Sequence, residues 1–97
     1  MTEDITIRRK RLLHRSRYTG MKETDLMLGR FANKYIKTFT DDELETYEKL
    51  LMAGDPSIYA WAVGREEIPE EYSTTVMLKL KNFAIYEHDP AKIEDHD

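Results

Sequence analysis

Apolar residues recur at three- and four-residue intervals along most of the chain, and no sustained two-residue alternation of β-branched side chains interrupts them. That spacing restricts the fold to helices. The stop signals Gly20, Gly54, Gly64 and Pro69 cut the pattern into helix-length pieces. A first helix is predicted from about Asp4 to Tyr18, with Ile5, Leu12, Leu13 and Ser16 facing inward wholly or in part. Gly20 fits a left-handed position just past its end. A second helix, from about Met21 to Ile36, sets Leu28, Phe31, Ala32 and Tyr35 on one stripe.

The third helix has the clearest local signature. Thr40 and Glu43 form a capping box, and Phe39 and Leu44 stand where a hydrophobic staple places its two residues. Leu44, Tyr47, Leu50 and Leu51 make the buried stripe, and Gly54 stops it. Asp55-Pro56 restarts a helix, with Asp55 read as its cap, through Ile58, Tyr59, Trp61 and Ala62 to Gly64. Tyr59 and Trp61 are read as core anchors. A last helix is expected from about Glu70 to Tyr86 on Val76, Leu80, Phe83 and Ala84. The expected architecture is all-α, a compact bundle of about five short helices over residues 1–86. An acidic, disordered tail is expected over residues 87–97.

Length permits one core. A chain of 97 residues buries about 65% of the surface its unfolded form exposes. With no cysteine there is no disulfide framework and no thiolate ligand or nucleophile. No apolar run approaches the roughly 20 residues of a membrane span, so no membrane insertion is expected.

Charge is divided unevenly. The chain has 15 Lys and Arg against 19 Asp and Glu, a formal −4. Residues 1–37 hold ten of the cations and four of the acids, a net +6, which leaves −10 for residues 38–97. Such asymmetry reads either as one face specialised for a partner or as two solvated faces of opposite sign. The segment RRKRLLHRSRYTGMKE concentrates the positive charge. An acidic protein partner suits it best, because it lacks both the interleaved aromatics of a single-strand binder and the continuous apolar face of an interfacial helix.

Catalytic groups are scarce. His14, His88 and His96 have no metal-ligand spacing, so neither a metal site nor catalytic residues are assigned. Phosphate-cradling glycine motifs are absent too. The pairs Asp41-Asp42 and Glu66-Glu67 read as solvated helix starts. The turn TGMKE has two readings. Gly20 supplies backbone freedom while Glu23 reaches back to cap the second helix, or Gly20 admits a partner's backbone and Glu23 contacts it.

At this turn the sequence resembles a known family. RLLHRSRYTGMKETDLMLGRFANKYI is similar to the opening of the succinate dehydrogenase assembly factor 2 family, whose bacterial members are called SdhE. That family carries Arg-Gly-x-x-Glu between its first two helices, usually with Met after the Gly, and Gly20, Met21 and Glu23 match it. FTDDELETYEKLL resembles its third helix, and DPSIYAW its Asp-Pro-x-x-x-x-Trp segment, so the likeness covers about residues 8–85. Thr19 stands where the motif has arginine; Arg15 and Arg17 are the nearby cations, with different geometry.

The resemblance implies a chaperone-like factor and not an enzyme. It implies binding to the flavoprotein subunit of succinate dehydrogenase, and in some bacteria of fumarate reductase, and assistance to covalent attachment of FAD there. No cofactor is expected to be bound stably by this chain. The implied partner-binding residues are Gly20 and Glu23, with Met21 and Arg17 behind them. The factor is expected to be a monomer that does not bind nucleic acid. The rival expectations are a regulatory or nucleic-acid-binding domain using the basic first helix, and a scaffold subunit. Glu3 and Asp4 argue against a transit peptide, so the expected location is the bacterial cytoplasm, with the mitochondrial matrix as the alternative.

Overall fold

A computed structural model describes residues 4–88 of the chain. Within them the elements are α1 (Ile5–Ser16), α2 (Lys22–Tyr35), a 3-10 turn (Ile36–Thr38), α3 (Asp41–Ala53), α4 (Ser57–Ala62), a second 3-10 turn (Glu70–Tyr72) and α5 (Thr75–Tyr86). The five helices and the lack of strands among the described residues match the all-α expectation. Helix α1 packs on α2 and α3, and α5 closes the bundle against α4, α3 and α2.

Helix α2 supplies the centre. Its stripe of Leu28, Phe31 and Ala32 is buried, with Tyr35 half-buried at the edge. The Phe31 ring lies 5.6 Å from Phe83 of α5, 5.8 Å from Tyr47 of α3 and 6.1 Å from Phe39. One ring therefore ties α5, α3 and the connection before α3 to α2, and truncating it to alanine would cost about 3–5 kcal/mol. The α3 stripe of Leu44, Tyr47, Leu50 and Leu51 is buried, and Trp61 is buried on α4.

A polar pair is enclosed in this core. The Ser16 hydroxyl donates to the carbonyl of Leu12 at 2.7 Å and pairs with the Tyr47 hydroxyl. Since Ser16 has one proton, Tyr47 is the donor to Ser16. Burial pushes the phenol of Tyr47 well above its ordinary range, so that proton stays in place.

Local capping explains where α3 begins. Thr40 accepts from the Glu43 amide at 3.2 Å while the Glu43 carboxylate accepts from the Thr40 amide at 2.9 Å, the expected reciprocal box. Phe39 and Leu44 are both buried, as a staple requires.

Three expectations are corrected. Residues Glu70–Tyr72 form a separate 3-10 turn, and α5 begins later because the Thr74 hydroxyl caps it, accepting from the Met77 amide at 3.1 Å. Asp55 does not cap α4; its carboxylate is committed elsewhere. Glu87 and His88, expected at the start of the tail, belong to the packed body. Glu87 pairs with Lys34 and accepts from the Tyr35 hydroxyl, and His88 is buried with its ring stacked on Phe83. The rest of the expected tail, residues 89–97, lies outside the described residues.

Candidate functional site: the braced turn between α1 and α2

Helix α1 ends at Ser16 and the chain turns through Arg17–Met21 into α2. Gly20 has φ +130°, a conformation that side-chain-bearing residues rarely adopt. Space is not the constraint: an added Cβ would meet Asp55 Oδ2 at an ordinary 3.9 Å. The expectation of a left-handed glycine after the first helix therefore holds.

Two carboxylates brace the turn. Asp25 Oδ1, in the first turn of α2, accepts from the amide of Thr19 at 2.5 Å and from its hydroxyl at 2.7 Å. Asp55 arrives from the α3–α4 connection. Its Oδ2 accepts from the Met21 amide at 2.9 Å, and its Oδ1 from the Thr24 hydroxyl at 2.6 Å. Met21 is the residue capping α2, and its thioether side chain makes no capping bond. Asp55 instead satisfies the amide of Met21 itself, as the acid of a capping box would, so the arrangement at this helix start is spread over two segments 34 positions apart. A carboxylate there also sits favourably against the positive end of the α2 dipole. The Thr19 hydroxyl lies between the two carboxylates, 3.3 Å from Asp55 Oδ2. At the position of the motif arginine, this chain thus has a short hydroxyl that joins the brace.

Glu23 takes no part in it. Among the described residues its exposed side chain makes no hydrogen bond or ion pair, so the reading of Glu23 as a cap gives way to Asp55. With Met21, which is 43% exposed, Glu23 lines a groove of about 460 Å³ whose far wall is Pro56, Tyr59 and Ala60 of the α4 segment. Arg65 closes one end, its guanidinium 5.5 Å from the centre of the Tyr59 ring.

The structure thus brings Met21 and Glu23 together with α4, and sets Gly20 beside Asp55 of the connection that precedes it. Arg17 lies on the other side of the turn. It crosses Gly29 of α2, where an added Cβ would come within 3.1 Å of Arg17 Cγ, and it lines a second groove of about 540 Å³.

Sequence reasoning missed the brace. Asp55 was legible as a cap, but the helix that it caps is fixed by a contact 34 residues away. Thr24 and Asp25 gave no signal beyond polar residues at the start of a helix. No group of three or more His, Asp or Glu side chains placed to hold a metal ion occurs among the described residues. What the arrangement presents is a braced, exposed backbone turn, with a thioether and a carboxylate unpaired among the described residues beside it, suited to docking.

The model of a family described as flavinator of succinate dehydrogenase matches residues 10–84. The chain belongs to this family. Among its relatives, proteins named succinate dehydrogenase assembly factor 2, mitochondrial, are 43% identical over 81 residues in Drosophila grimshawi and in Drosophila virilis. A protein of the same name in Lodderomyces elongisporus is 42% identical over 81 residues. These alignments cover 81%, 81% and 80% of this chain but 55%, 51% and 49% of the relatives. The chain therefore spans about half the length of the curated relatives it matches. The matched span of the flavinator family contains the whole braced turn, the α4 wall of its groove and most of α5. No helix among the described residues is long and apolar enough to cross a membrane.

Proposed function

We propose that the chain is an assembly factor that docks through the Gly20 turn on the flavoprotein subunit of succinate dehydrogenase and promotes covalent attachment of FAD to that subunit. The related subunit of fumarate reductase is a second partner where that enzyme is present. The observation that carries this reading is the turn itself: a glycine at φ +130°, braced by Asp25 and Asp55, with Met21 exposed beside it and Glu23 unpaired among the described residues. Family membership and the names of the relatives support the choice of partner.

The chain's part is conformational. A rigid turn holds the partner where its histidine and its flavin meet, and the partner and flavin supply the bond-making groups. On this reading the chain is not an enzyme and keeps no cofactor of its own. Its place of work is the compartment where succinate dehydrogenase is assembled. The mitochondrial names of the relatives support the matrix, and the bacterial cytoplasm is the location expected from the sequence.

The nucleic-acid reading loses its main support because Arg8, Arg9 and Arg11, the densest cations of α1, are bound within the molecule. The test is co-expression of the flavoprotein subunit with this chain, scoring covalent flavin by in-gel fluorescence. Flavin incorporation should rise with the wild-type chain and remain at background with Gly20→Arg. Equal incorporation with and without the chain would sink the proposal.

A further inference from the structure

The second groove is predominantly cationic. Arg17 at the end of α1 and Lys22 and Arg30 on α2 line it, with Leu26, 40% exposed, and Gly29 between them. Arg17, Lys22 and Arg30 make no side-chain hydrogen bond or ion pair among the described residues. Asp25 is the one acidic residue in the lining, and its Oδ1 is held by Thr19, so the groove keeps an excess of positive charge.

We propose that this groove receives an acidic segment of the protein partner. The inference deepens the docking function above and rests on it. Carboxylates answer the three cations, and Leu26 offers apolar contact to the chain between them. Arg17 and Lys22 flank the Thr19–Met21 turn in sequence, so a partner seated on the turn lies next to the groove. A protein segment fits better than a nucleic-acid backbone, because an apolar residue sits among the groove's cations and three of the α1 guanidiniums, those of Arg8, Arg9 and Arg11, are engaged within the molecule. A charge contact of this kind speeds encounter and makes affinity depend on salt.

The experiment measures affinity of the full chain for the purified flavoprotein subunit at low and high salt. The variants are Lys22→Glu/Arg30→Glu, the milder Lys22→Gln/Arg30→Gln, Gly20→Arg, and a control, Lys10→Glu/Lys37→Glu, outside the groove. The glutamate pair is expected to weaken binding about tenfold or more and to flatten the salt dependence, with the glutamine pair intermediate. The control pair should remain within about twofold. Circular dichroism melts establish that each variant is folded, and the glutamine pair carries the test if the glutamate pair melts early.

Unchanged affinity and salt dependence in both groove pairs, with binding lost in Gly20→Arg, would overturn the groove while leaving the docking turn intact. Absence of wild-type binding to the subunit would overturn both. Wild-type binding to duplex DNA or anionic vesicles that the groove variants abolish, with subunit binding untouched, would assign the groove to another ligand and overturn the inference.

Discussion

The two ends of α1 carry the same residue type and use it differently. Near the N-terminal end, Arg8 and Arg11 both bond Glu48 of α3, at 3.2 and 2.9 Å, and Arg9 donates to the carbonyl of Phe39 at 2.9 Å. These guanidiniums fasten α1 to the bundle. At the C-terminal end Arg17 has no such partner among the described residues and opens, with Lys22 and Arg30, onto a groove beside the glycine turn. Charge density along the sequence is highest where the charge is already used. What distinguishes a binding surface from a fastening is unpaired charge, and only the folded chain reveals it.

The largest expected effect is at the turn. Gly20→Arg should reduce flavin attachment to background while helix content by circular dichroism is retained. Its strain at positive φ should cost about 1–3 kcal/mol in urea unfolding. A variant that unfolds outright would make Gly20 a structural residue and erase the contrast between the two ends.

Next comes the brace. Asp55→Ala leaves the Met21 amide and the Thr24 hydroxyl without their acceptor and should cost about 2 kcal/mol, at the upper end of a capping loss. Flavin attachment should fall with it, because the turn loses its anchorage. Full activity at reduced stability would separate the brace from docking.

At the fastening end, Glu48→Gln should cost about 0.5–1 kcal/mol and leave flavin attachment unchanged, since both ion pairs are partly exposed. The same residue sharpens the comparison through pH. The hydrogen bond from Arg11, helped by Arg8, holds the Glu48 carboxyl below its ordinary 4.5. A depressed folded-state value gives stability that is present above the unfolded value and is lost as pH falls through the folded one. Melts from pH 6 down to about pH 3 should therefore decline less steeply in Glu48→Gln than in the wild type. An identical decline would mean that the pairs contribute nothing measurable.

The smallest stability effect belongs to Glu23. With no bond to lose, Glu23→Ala should alter unfolding by no more than about 0.5 kcal/mol while flavin attachment weakens. Full activity would remove Glu23 from the docking surface.

Local physics was legible in the chain, and distant physics was not. The α3 box and staple were read correctly because Thr40, Glu43, Phe39 and Leu44 interact within five residues. The α2 and α3 stripes followed from periodicity, which tertiary packing reinforces. The start of α5 was misread because Glu70–Tyr72 continues the helical spacing, and Thr74 as a cap has Met77 three positions on in place of the acid that marks a capping box. Gly20, Met21 and Glu23 were recognisable from the family motif. Asp55 was recognisable only as a generic helix start, since the chain does not state which amide a carboxylate will meet.

The Asp55 brace has a practical consequence. The proposed docking element is continuous to the eye, a short run from Thr19 to Glu23, yet its geometry rests on a residue from outside that run. A synthetic peptide spanning residues 15–30 would hold the glycine, the methionine and the glutamate without the acceptor that sets their geometry. Such a peptide should compete poorly with the whole protein, and grafting the run onto another helical hairpin should succeed only if the host supplies a carboxylate from outside the hairpin.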